Sequence, residues 1–122
     1  MAKIFHFRRV SDADLKKRKG AILRNMRVPA SALRASMVRQ FLTCGKKNCR
    51  CQRGNKHGPF EYLVQCLAVG NVRKFLLKTA AQREQAGLSI AAYAQFHEQL
   101  EELSQINTEL LRRGELLSES PS

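Results

Sequence analysis

The order of apolar and polar residues divides the chain into a helical beginning, a strand-rich middle and a helical end. Ser11-Asp12-Ala13-Asp14 reads as an N-cap with acids in the first turn, and Leu15, Ile22, Leu23 and Met26 share one side of the helix that follows. Gly20 in its middle lowers intrinsic helix stability by about 1 kcal/mol relative to Ala. Pro29 closes the segment. Residues 37–42 then form a short β-prone run, and residues 60–68 and 72–77 form two more, separated by Val69-Gly70-Asn71, which reads as a hairpin turn. In the longer run Phe60, Tyr62, Val64 and Cys66 alternate with Glu61, Leu63, Gln65 and Leu67, so the pattern predicts the Phe60 side as the core face. Three short antiparallel strands need a helix across one face to be stable.

The end of the chain supplies that helix. Thr79 and Gln82 fit a capping box, Gly87 predicts an interruption, and from Ser89 to about Arg113 all strand character is lost, which gives a helix of about 24 residues and about 36 Å. With Tyr93 at heptad position a, Leu100 and Asn107 follow at a, while Phe96, Leu103, Leu110 and Leu117 occupy d. Leu100, Leu103, Asn107 and Leu110 are therefore the candidate oligomerisation residues of a homodimer, with Asn107 fixing the register. The alternative is that the same seam packs across the protein's own sheet. The Ser- and Glu-rich residues 118–122 are expected to be a disordered tail. The expected fold is α+β: a small three-stranded antiparallel sheet, a basic N-terminal helix and a long C-terminal helix. The boundaries are 1–30 for the basic arm or helix, 31–79 for the sheet and its loop, and 80–117 for the final helix.

Between the first and second strands lies Cys44-Gly45-Lys46-Lys47-Asn48-Cys49-Arg50-Cys51-Gln52-Arg53-Gly54-Asn55-Lys56-His57-Gly58-Pro59. Three thiols and an imidazole at spacing Cys-x4-Cys-x-Cys-x5-His make the donor set of a structural zinc site, with cations to offset thiolate charge. One zinc per chain on Cys44, Cys49, Cys51 and His57 is the expectation; a metal-free loop of reduced thiols and a redox or iron–sulfur role are the alternatives. Cys66 stands apart among apolar neighbours and reads as a buried strand cysteine, or as a fourth ligand in place of His57 should the strand fold back.

The same stretch carries a resemblance. Cys44, Gly45, Lys46, Cys49, Arg50, Cys51, Gly54, His57, Gly58, Pro59, Phe60, Tyr62 and Leu63, followed by Asn107, Leu110 and Leu111, make residues 33–113 resemble a small prokaryotic family of unknown function. Its motif runs Cys-Gly-Lys-x-x-Cys-x-Cys, then His-Gly-Pro, an aromatic, and Tyr-Leu. Lys47 stands where a proline is frequent in that family. Members often sit in mobile-element contexts, so the resemblance implies a nucleic-acid setting and assigns no activity.

Charge points the same way. Through Thr79 the chain carries nineteen Lys and Arg against Asp12, Asp14 and Glu61, a net +16, whereas residues 80–122 hold three Arg against seven Glu, a net −4. A field of that strength attracts polyanions. Lys46, Lys47, Arg50, Arg53 and Lys56 are the candidate phosphate contacts, with Arg34, Arg39, Arg73 and Lys74 extending the surface along the strands. DNA is the expected partner ahead of RNA. No run of signal-peptide length and no stretch of about 18 apolar residues is present, so the expectation is a cytoplasmic protein with no membrane partner. Clustered cysteines in that compartment are better explained by metal than by disulfides.

A site with three Cys and one His leaves a zinc ion no open position, Glu61 is the one carboxylate near the loop in sequence, and no Walker loop or His-Glu-x-x-His is present. The expected function is therefore a non-enzymatic, zinc-stapled nucleic-acid-binding module, an accessory of mobile-element or other DNA-transaction machinery. One alternative is an adaptor that recruits a protein partner through the C-terminal helix. The other is a thiol or zinc-dependent enzyme in which Cys49 or Cys51 reacts.

Overall fold

The computed structural model describes residues 3–116. In chain order it contains α1 (Asp12–Asn25), β1 (Ser36–Leu42), a short 3-10 turn (Arg50–Arg53), β2 (His57–Ala68), β3 (Asn71–Leu76) and α2 (Ala80–Arg112). The fold is α+β, with strands in the order β1-β2-β3 and both pairings antiparallel. Among the described residues, 3–30 and 94–116 form one compact unit, and Ser31–Tyr93 form the other, α2 contributing to both.

In the first unit α1 begins where its cap predicts, the Asp14 backbone N–H donating to Ser11 Oγ at 3.1 Å. Leu15 and Ile22 from α1 meet Ile106 and Leu110 of α2 in a core that leaves none of the four more than 5% exposed. The basic helix is not a free arm. Arg18 makes a two-pronged bond to Glu102 at 2.6 and 2.8 Å, and Lys16 reaches Glu115 at 3.2 Å. Arg113 joins Asp12 at 2.6 Å to Glu109 at 3.0 Å and also donates to the carbonyls of Phe7 and Arg8. Arg112, with Arg113 behind it, holds the Glu109 carboxyl down at about 2. Acids from α2 and the residues just after it thus answer Arg18 and Lys16 of α1.

This packing corrects the heptad reading. Leu110 is fully buried against α1, Ile106 beside it falls on neither a nor d, and Leu100 and Leu111 are left 46% and 60% exposed. A helix that packs on one neighbour buries a stripe set by the crossing, which need not follow a strict a/d count. The side chain of Asn107 places its Oδ1 in the interior with no hydrogen-bond partner among the described residues. Leu117 and the expected tail at 118–122 lie outside the described residues.

In the second unit the capping box forms as expected: Gln82 N–H donates to Thr79 Oγ1 at 3.1 Å, and Gln82 Oε1 accepts from the Lys78 and Thr79 backbones. Gly87 does not interrupt α2, which runs 33 residues without a break. The glycine cost of about 1 kcal/mol is tolerated where Ala86 and Ile90 on either side are packed.

The core face of β2 is the reverse of the expected one. Leu63 is 5% exposed and packs with Leu77 and Ala86, flanked by Leu33, Ala35 and Ile90, while Phe60, Tyr62 and Val64 are half-buried and Cys66 is exposed. Both faces of β2 carry apolar residues, so alternation groups the residues by face without deciding which face α2 covers. The hairpin turn is Val69-Gly70, with Gly70 at φ 81°. Among the described residues no helix is long and apolar enough to cross a membrane.

The two neighbouring leucines of α2 give a direct check. Leu110→Ala should destabilise the protein by about 2–5 kcal/mol, and Leu111→Ala by less than about 0.5 kcal/mol, in urea unfolding. Equal losses would mean that the α1–α2 core is misplaced.

Candidate metal centre

The site is built by the connection from β1 to β2. β1 ends at Leu42, which pairs with His57, the first residue of β2, so the strand register alone brings the two ends of the loop together. Between them the backbone turns tightly: Cys49 N–H donates to Lys46 O at 3.3 Å, Gln52 N–H to Cys49 O at 3.1 Å, and Gly54 N–H to Cys51 O at 3.3 Å. Gly54 closes the 3-10 turn at φ 101°, a conformation that side chains disfavour. Gln52 Nε2 ties the turn to the Cys44 carbonyl at 3.0 Å. Gly58 lies at φ 129° so close to β1 that a Cβ there would sit 2.9 Å from Gln40 O.

This path converges the four predicted donors. The Cys44, Cys49 and Cys51 sulfurs and a His57 ring nitrogen all lie within 4.8 Å of one another. Cys44 and Cys51 Sγ are 3.5 Å apart, and Cys49 Sγ is 3.1 Å from His57 Nε2. Donors about 2.0–2.3 Å from a shared tetrahedral ion stand roughly 3.5–4 Å from each other, so the group can hold one metal ion. Cys51 is buried at 2% exposure and the other three are half-buried. Cys66 belongs to the far part of β2, nine residues and about 30 Å of extended strand from His57, and is not in the group. The fourth donor is His57.

The thiols are not equivalent. The Cys51 backbone N–H, then the Cys51 and Cys44 side chains and the His57 ring, pull the Cys49 thiol down to about 6. Cys51 is raised: the Cys44 N–H at 3.3 Å favours its thiolate, but burial and the neighbouring Cys49 and Cys44 sulfurs outweigh that bond. The Cys49 sulfur is thus the one drawn toward its thiolate near neutrality, while burial among neighbouring sulfurs holds Cys51 as the thiol. A divalent metal at the cluster would favour the thiolate form of its sulfur ligands.

Around the cluster Lys46, Lys47, Arg50, Arg53 and Lys56 are all exposed, and none is ion-paired with an acid among the described residues. Ser31–Tyr93 hold eleven Lys and Arg against Glu61 and Glu84, a net +9 of the chain's +12. The strand cations are more engaged. Arg39 pairs with Glu61 at 3.1 Å, Lys74 donates to Gln40 at 3.0 Å and lies 4.5 Å over the Tyr62 ring, and Arg34 donates to the Cys66 carbonyl. Arg73 is exposed on β3. Sequence reasoning did not single out Phe41, which is 53% exposed immediately before the loop. Its one signal was an aromatic within three residues of the first ligand.

A small α+β protein with a basic loop gathered by three cysteines and one histidine is the class these features define. Residues 12–65 match the model of a family described as "Domain of unknown function (DUF6788)". The match takes in α1, β1 and all four donors, and ends within β2. No curated protein and no solved structure matches the chain.

Cys49→Ser should abolish stoichiometric metal in native mass spectrometry and loosen the loop, whereas Cys66→Ser should leave both unchanged. Gly58→Ala, which forces a side chain against the Gln40 carbonyl, should weaken metal retention even though no donor is altered. Metal binding that survives Cys49→Ser but not Cys66→Ser would overturn the donor set.

Proposed function

We propose that this protein is a non-enzymatic nucleic-acid-binding module whose basic loop is stapled by one zinc ion. The observation that carries the reading is the contrast between the two units. In the first unit Arg18 of α1 pairs with Glu102 of α2 and Lys16 with Glu115, whereas the five cations on the loop have no acidic partner among the described residues. Five like charges on a short loop repel one another, and a loop without a core of its own cannot hold them at fixed positions. Three thiolates, one imidazole and one zinc carry a net charge of −1, which both anchors the loop and lowers that repulsion.

Zinc fits better than the other metals because thiolate-rich tetrahedral sets favour it and a full set of protein donors leaves no position for substrate water. In this arrangement Lys46, Lys47, Arg50, Arg53 and Lys56 contact phosphates, and Arg39, Arg73 and Lys74 extend the contact along the sheet. DNA stands ahead of RNA as the partner, in the setting of an accessory to DNA-transaction or mobile-element machinery. Phosphate contacts of this kind position a nucleic acid without reading its sequence.

Affinity should fall steeply with salt, because each neutralised phosphate releases counterions and contributes a slope of about −0.9 in log K against log salt on B-DNA. About five contacts give a slope of about −4 to −5. Replacing Lys46, Lys47 and Arg50 together by Ala should flatten it by about three units with zinc content unchanged. A folded, zinc-loaded protein that retains neither DNA nor RNA at low salt would overturn the reading.

The exposure of Leu100 and Leu111 favours a second role for α2. With Leu103, Ser104, Asn107 and Leu116 they line a shallow groove, a surface suited to a second copy of the chain or to a protein partner. Leu100→Glu combined with Leu111→Glu should convert a dimer to a monomer in analytical ultracentrifugation without releasing metal. A wild type that sediments as a monomer at tens of micromolar, roughly the range in which short helix pairs associate, removes the dimer.

A further inference from the structure

We propose that Phe41 is a stacking platform for an unpaired nucleobase, so that the nucleic acid held by the basic loop is single-stranded where it crosses the end of β1. The inference rests on the nucleic-acid reading above and narrows its substrate class.

Phe41 differs from the other aromatic residues near the charged surface. Phe60 and Tyr62 are half-buried, and a face of Tyr62 is already taken by the Lys74 ammonium at 4.5 Å. Phe75 is 46% exposed but lines a groove with Leu33, Leu63, Leu77 and Ala86, where it extends the apolar core. Phe41 is the most exposed of the aromatics in this unit, at 53%. One side of it is fixed: its Cδ1 lies only 3.3 Å from where a Cβ on Gly58 would be, so the ring rests on bare backbone. A side chain at Gly58 would displace it.

The surroundings are cationic. Arg39 stands two residues earlier on β1, and Lys56 precedes by two residues the glycine that supports the ring. Cys44, three residues on, opens the loop with Lys46, Lys47, Arg50 and Arg53. An exposed aromatic ring at the entrance of a basic loop combines the two parts of a single-strand site, a π-surface for the base and cations for the backbone. In a duplex the base faces are covered by their own neighbours, and a protein ring reaches them only where pairing is broken. Every base presents such a face, so the contact is tolerant of sequence, in keeping with a loop that touches phosphates.

The chain contains no tryptophan, so Phe41→Trp introduces a unique fluorophore at the platform. Wild type, Phe41→Trp, Phe41→Leu and Phe41→Ala are loaded with zinc, checked for metal content, and titrated with dye-labelled oligo-dT, oligo-U and a DNA duplex of the same length. Phe41→Leu and Phe41→Ala should each weaken single-strand binding by about tenfold and duplex binding by less than about twofold, the size expected for one lost stack. Phe41→Trp should keep wild-type affinity, and its emission should be quenched by oligo-dT or oligo-U and not by duplex. Comparison of the two oligonucleotides tells a DNA strand from an RNA strand, and quenching by either supports the platform. Phe41→Leu keeps the apolar bulk, so it carries the test if the alanine variant fails to fold. The proposal is overturned if the wild type binds while Phe41→Leu retains full single-strand affinity, or if the tryptophan is not quenched; the cationic-loop reading then stands. It is also overturned if all three variants lose duplex and single-strand binding together. A wild type that binds none of the three probes overturns the nucleic-acid reading itself.

Discussion

The convergence of Cys44, Cys49, Cys51 and His57 is the constraint on which the middle of this protein depends. The loop that carries them has one buried residue, Cys51, and no apolar core to hold it. Its backbone hydrogen bonds are those of a single 3-10 turn and a few adjacent residues. Elsewhere in the chain order comes from apolar burial, as with Leu15 and Ile106 in one unit and Leu63 and Leu77 in the other. Here three sulfurs and a ring nitrogen lie within 4.8 Å of one another, and a metal held by them would take the place of a core. A metal bound there contributes its binding energy to the folding of the loop, because the unfolded chain has no preformed site.

The same constraint explains why the loop tolerates its charge. Five cations without an acidic partner among the described residues would open a flexible segment, and thiolates held around a metal would offset part of their repulsion. The two units answer the chain's basic composition differently. In one, Arg18, Lys16 and Arg113 meet Glu102, Glu115 and Asp12, and the charge is largely spent within the molecule. In the other, Glu61 engages only Arg39 among the loop and strand cations. The field available to a polyanion is therefore concentrated around the cluster rather than spread over the N-terminal two thirds of the chain.

Much of this was legible beforehand because it is local. Caps at Ser11 and Thr79, the Gly70 turn and the three strands follow from residue types within a few positions of each other. The donor spacing was equally readable, since β1 and β2 are joined by the loop itself and antiparallel pairing must bring His57 back to the residues after Leu42. Which face of an element meets its partner was less legible, although the covering of the sheet by the C-terminal helix was legible. Alternation favours the Phe60 face of β2 where α2 covers the Leu63 face, Gly87 suggests a break that α2 does not have, and the heptad pattern assigns Leu110 to a dimer or sheet seam where α1 covers it.

The sequence by itself determined the elements, their order, the four donors and the excess of positive charge, all of which depend on neighbouring residues or on composition. Only the tertiary structure decided which side of β2 meets Ala86 and Ile90, that α1 fills the stripe of Leu103, Ile106 and Leu110, and which cations keep no acidic partner. Periodicity marks an apolar face but not what covers it, and a charge count does not say which charges meet. Both are settled by contacts between residues far apart in the chain, such as Arg18 with Glu102 and Leu33 with Ser89.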